Sequence, residues 1–239
     1  MEISVIDTML DNTASNAFPA SFDPYLSASP TIDSEHPDIV RFSKLRSAES
    51  DGALAKAVAL YDAVRDELRY DPYSIDMTVS GLSASVTLAS GKGWCVSKAV
   101  LLAAACRVIG IPARLGFADV KNHMSTSNLR ASMGTDIFYW HGYTDIYLSG
   151  QWVKATPAFN VELCEKFRIK TLEFDGLADS IYHPFDMDGR QHMEYVNYRG
   201  DFADVPIAEM SADFEKYYPN LTFGTKNLDF DSEVERENR

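Results

Sequence analysis

The stretch "AVLLAAAC", Ala99 to Cys106, carries no polar group larger than a thiol. It sits inside "GKGWCVSKAVLLAAACRVIGIPARLGF", with glycines before it and Gly110 after it. That pattern predicts a helix from about Cys95 to Ile109, ended by Gly110. A helix apolar nearly all round must be covered on most sides. The rest of the chain therefore has to supply layers around this one rod. With 239 residues, 46% of them apolar, there is enough chain for one sizeable core.

The candidate covering layers can be read on either side. Residues 1–45 are rich in Ser, Pro, Asp and Ala and are expected to be an irregular lead-in. A helix is expected from Ser50 or Asp51, with an apolar stripe of Leu54, Ala57, Val58, Tyr61, Val64 and Leu68. It ends before Pro72, which disfavours helical geometry at Asp71. Residues 73–90, small and polar, are expected to form a loop. After Pro112 the pattern changes to strands: "ARLGFADV", then "DIFYWHGYTDIYL" and "QWVKATPAF" joined at Ser149-Gly150. Helices followed by antiparallel strands argue for an α+β fold, with the buried helix packed against the sheet. The expected division is a lead-in over 1–45, a core over 46–160, an extension over 161–221 packed on that core, and a frayed charged tail over 222–239.

Composition limits the function. A net charge of −13 argues against nucleic acid or an anionic membrane surface as partner. No apolar run is long enough for a membrane span, and the start has no secretory pattern, so a cytoplasmic protein is expected. Three cysteines, Cys95, Cys106 and Cys164, form neither a disulfide framework nor a CxxC pair. No histidine pair has helical metal spacing, so neither metal nor cofactor is expected. Cys106 lies about 16 Å along the helix from Cys95, too far for a disulfide.

Cys95 occupies the first turn of the predicted helix. Free N–H groups there favour a thiolate, and its own backbone N–H could donate to an oxyanion. A packed structural cysteine is the equally open alternative. A nucleophilic cysteine needs a base. The histidines are His36, His123, His141, His183 and His192. His141 can be placed: with Ser149-Gly150 as a two-residue turn, Tyr143 faces Thr156, and alternation sets His141, Tyr143, Asp145 and Thr156 on one face. Thr156 is then diagonal to His141. Asp145 falls opposite Lys154, which suggests a cross-strand ion pair, and Arg114 is expected to meet a buried carboxylate.

The motifs "GKGWCVSKAVLLAAACRVIGIPARLGF", "WHGYTDIYL" and "QWVKATPAFN" resemble the transglutaminase-like superfamily of papain-type cysteine enzymes. The resemblance covers about residues 50–160. It implies a papain-like core in which Cys95 attacks a carboxamide carbonyl and His141 shuttles the proton. The family's third residue is an aspartate fifteen positions after the histidine, and here that position holds Thr156. A threonine hydroxyl can accept from imidazole Nδ1–H and fix the tautomer, but it supplies no charge to stabilise an imidazolium. Asn160 is an alternative orienting group of the papain kind, Trp94 a packing residue or oxyanion support, and Tyr143 a pocket or core aromatic. The resemblance implies a cysteine hydrolase or acyltransferase acting on an amide or isopeptide bond of a peptide or protein. The alternative is a non-catalytic peptide- or protein-binding module that has lost the triad aspartate.

Overall fold

The computed structural model describes residues 21–123, 125–182, 187–189, 192–220 and 228–237. In chain order the elements are α1 (Pro37–Arg46), α2 (Gly52–Glu67), β1 (Arg69–Tyr70), α3 (Val79–Leu82), α4 (Ala84–Ser90), β2 (Lys92–Gly93), α5 (Cys95–Val108), β3 (Ala113–Asn122), α6 (Ser127–Met133), β4 (Ile137–Leu148), β5 (Gln151–Ala155), α7 (Val161–Phe167), β6 (Met193–Phe202), α8 (Ile207–Tyr217) and α9 (Phe230–Glu237). The fold is α+β. A four-stranded antiparallel sheet in the order β5-β4-β3-β6 carries α5 on one face, and β1 and β2 form a short parallel pair.

The buried rod is α5. Every residue from Cys95 to Arg107 is buried, between the sheet and a sleeve of α1, α2 and α4. Its two cations are buried only because backbone carbonyls meet them. Lys98 Nζ donates to the carbonyls of Arg65, Leu68 and Ala158 at 2.9, 2.7 and 2.8 Å. Burial still pulls this ammonium down to about 7. Arg107 donates to the carbonyls of Ser27, Ala113 and Ala203.

Four sequence expectations need correction. The lead-in expected to be irregular to residue 45 ends in α1, whose Ile39 and Phe42 join the core; His36 caps it by accepting from Asp38 N. The loop expected over 73–90 contains α3 and α4. Thr78 caps the first of these through Gly81 N, and each is too short for a periodicity to show. Within 161–221, β6 is a strand of the central sheet, hydrogen-bonded to β3. The tail expected to fray contains α9, docked through Phe230 and Val234 and through the buried Glu233 carboxylate, which accepts from Tyr73, Thr126 and Asn128 side chains. Charge in the tail suggested solvation, but that one carboxylate has three donors.

Candidate active site

The hairpin behind the site has the expected register. Ser149 and Gly150 both adopt positive φ, 53° and 90°, as a tight two-residue hairpin turn requires. Leu148 faces Gln151, Asp145 faces Lys154 and Thr144 faces Ala155. The strand and its pairing end there, so Thr156 comes immediately after the last paired residue.

The strand then departs from regularity at one point. Ala118 of β3 faces His141, but Val120 faces Phe138, so two residues of β4, Tyr139 and Trp140, stand against Asp119 alone. This is a β-bulge immediately before the histidine. Trp140 takes φ 61°, a strained value for a non-glycine residue. Three groups hold it there. Asp119 Oδ1 accepts from Trp140 N at 3.2 Å, Asp213 accepts from the indole Nε1 at 2.8 Å, and the Arg199 guanidinium lies 4.7 Å over the indole. Arg199 in turn pairs with both Asp119 and Asp213. Bulges re-aim the side chains beside them, and this one sets the direction of His141.

Gly142 permits the approach of α5. A Cβ there would lie 3.0 Å from the Val96 backbone, so the first turn of α5 sits directly on the strand. The Gly142 backbone amide, together with those of Cys95 and Val96, points toward the Cys95 sulfur and lowers its pKa. Burial outweighs them and pushes the thiol up to about 11. Burial alone pulls His141 down to about 4. At neutral pH the pair is therefore a neutral thiol and a neutral imidazole.

Cys95 and His141 line one cavity, walled by Tyr70, Ile75, Trp94, Leu129, Phe138 and Tyr218 among others, with about 40 Å³ open to water-sized molecules. Trp94 presents a buried Nε1 donor without a partner. The other histidines are elsewhere. His36 caps α1, His123 Nε2 lies 3.5 Å from Glu194, and His192 packs on Phe159 and Tyr182. His183 lies outside the described residues.

Thr156 is buried beside β4 but is not part of the cavity wall. Its carbonyl accepts from the Tyr61 hydroxyl at 3.1 Å. Its own Oγ1 is buried without a partner, and so is His141 Nε2. The buried His141 ring nitrogen without a partner is Nε2, not the Nδ1 considered from the sequence. Asn160 does not orient His141: its Oδ1 accepts from Tyr70 N and its Nδ2 donates to Glu162. Tyr143 does not line the cavity; its ring covers Gly116. Asp145 pairs with Arg114 at 3.0 Å, while Lys154 turns to Asp179 at 3.1 Å. All three cysteines are free, and burial raises Cys106 to about 12 and Cys164 to about 11. Among the described residues no cluster of three or more His, Cys, Asp or Glu could hold a metal ion, and no helix is long and apolar enough to cross a membrane.

What the sequence could not indicate is the bulge and its clamp. Asp119, Arg199 and Asp213 are far apart in the chain, and the one local sign is the run of bulky residues before His141.

Residues 42–157 match the model of the transglutaminase-like superfamily. Among solved structures, the chain is similar to a "Putative Cysteine Protease from Cytophaga hutchinsonii" at 18% identity and TM-score 0.47, over 77% of this chain and 55% of that one. It is also similar to a "putative protease from Parabacteroides distasonis" at 17% identity and TM-score 0.37, over 53% of this chain and 25% of that one. The chain thus spans about half and a quarter of those proteins. No curated protein matches it.

Proposed function

Because the chain is a transglutaminase-like domain protein through residues 42–157, we propose that it is a cysteine hydrolase or acyltransferase acting on an amide or isopeptide bond of a peptide or protein. The observation that carries the reading is one cavity lined by both Cys95, at the start of α5, and His141, behind the bulge. His141 takes the thiol proton as the Cys95 sulfur attacks the carbonyl carbon. The developing oxyanion meets the Cys95 backbone N–H, with the unpartnered Trp94 Nε1 as a second donor. Collapse of the adduct breaks the C–N bond, and the amine leaves with the proton from His141. Water, or a second amine, then gives a proton to His141 and attacks the thioester carbonyl; the C–S bond breaks, and the Cys95 sulfur leaves and takes that proton back. The resting pair is neutral, so proton transfer accompanies attack rather than preceding it. The apolar wall favours an uncharged acyl side chain, and the small free volume requires wall residues to move on substrate entry. Three free cysteines suit a reducing, cytoplasmic setting.

The second reading, a binding module that keeps the cleft, draws on that same neutral pair and on Thr156 at the aspartate position. The deciding experiment is labelling with a cysteine-directed acylating probe. The enzyme reading expects labelling of wild type, none of Cys95→Ala, and about 10²–10⁴-fold slower labelling of His141→Ala. Equal labelling of wild type and His141→Ala would favour the binding module.

A further inference from the structure

Behind His141 are two buried polar atoms that lack partners, His141 Nε2 and Thr156 Oγ1. Buried polar side chains ordinarily find a partner, so each of these two atoms calls for one. A third polar group stands beside them. Tyr195 of β6, opposite Val120 in the sheet, has its ring edge-on to His141 with centroids 6.4 Å apart. Its hydroxyl accepts from Tyr182 N at 3.4 Å and lies beside the Thr156 hydroxyl, without closing a bond of ordinary geometry. Tyr182 also packs on His141, 5.9 Å between centroids. Tyr195 and Tyr182 come from beyond residue 157, outside the stretch that matches the family.

We propose that Tyr195 is a positioning residue that, through Thr156, does the orienting work of a carboxylate: His141 Nε2–H donates to Thr156 Oγ1, and the Thr156 hydroxyl donates to the Tyr195 oxygen, which Tyr182 N–H steadies. This rests on the reading of Cys95 and His141 as a catalytic pair. A hydroxyl that gives its own proton away is a better acceptor for the imidazole. The chain fixes the tautomer with the lone pair of Nδ1 left for the thiol, and it adds no charge to the interior. The β6 segment is thereby part of the site, not an appendage to it.

The test is the rate of Cys95 alkylation by iodoacetamide across a pH series, which needs no substrate. Tyr195→Phe and Thr156→Val should each slow it about 2–10-fold near neutral pH, the range of one hydrogen bond, and Thr156→Ser should restore the rate lost in Thr156→Val. The double variant Tyr195→Phe/Thr156→Val should be no slower than Thr156→Val alone, since both break one chain. In a Thr156→Asp background the carboxylate takes Nε2–H directly, so the rate curve should move to lower pH and adding Tyr195→Phe should change nothing more. If Thr156→Asp does not fold, the Val cycle decides by itself. Additive losses in that cycle, or a wild-type rate in Tyr195→Phe, would overturn the proposal. Insensitivity of the rate to His141→Ala would instead overturn the catalytic pair on which it rests.

Discussion

The two halves of β4 hold buried polar residues in opposite ways. At the hairpin end, Asp145 lies opposite both Arg114 and Lys154 in unbroken register, and Arg114 bridges it to Asp201 at 2.8 Å while lying 4.2 Å over Trp152. At the other end, past a bulge and a left-handed Trp140, His141 is buried with no charged group to compensate it. One end is built so that ionised groups balance, the other so that a titratable group stays neutral. Both arrangements avoid an isolated buried charge. Only the second leaves a ring nitrogen free to accept a proton from a neighbour.

The largest effect is expected where charges are paired. Asp145→Ala removes one of the two carboxylates that pair with the buried Arg114 and should lower unfolding stability by about 3–5 kcal/mol, read from denaturant melts followed by circular dichroism. A loss below about 1 kcal/mol would mean that the hairpin end tolerates a missing charge as readily as the histidine end, and the contrast would fail.

Next comes acid sensitivity at the histidine end. Burial holds folded His141 at about 4, below its usual 6.5. Between those values the unfolded chain binds a proton that the folded chain does not, so stability is full above about 6.5 and falls as pH drops toward 4. The loss across that window should be about 3 kcal/mol. Asp145, raised by burial and by Asp201, contributes with the opposite sign. The difference between wild type and His141→Gln, measured by melts from pH 4 to 7, therefore isolates the histidine. Parallel curves would show that its imidazole is not desolvated.

The contrast also explains what the sequence revealed. Regular features follow from periodicity and turn chemistry, so the helix over Cys95–Val108 and the Ser149-Gly150 hairpin were legible. The partner of Asp145 was not. Lys154 does face it, but Arg114 faces it from the other neighbour and its planar fork meets a carboxylate better. The bulge was illegible because its clamp, Asp119 with Arg199 and Asp213, assembles from three elements. Tyr195 was illegible for the same reason: nothing in "HMEYV" says which strand it will pair with.

The smallest effect on stability, but a direct one on the site, is expected at the contact between helix and strand. Gly142 is where the first turn of α5 rests on β4, and an added methyl would stand 3.0 Å from both the Val96 Cα and its Cγ2, with Phe117 behind it at 3.5 Å. Two of those atoms belong to a residue fixed by helix and core, so the strain falls on the spacing between α5 and β4. Gly142→Ala should lose about 1–3 kcal/mol, as overpacked sites do. The same shift draws the Gly142 amide away from the Cys95 sulfur and removes one of the groups that lower its pKa. Alkylation of Cys95 should then slow at neutral pH, while Asp145, three residues on and paired across β3, keeps its ion pair. The measurement is a melt and an alkylation time course on the same protein. A variant with reduced stability and an unchanged rate would show that the thiol's reactivity does not depend on the strand beneath it.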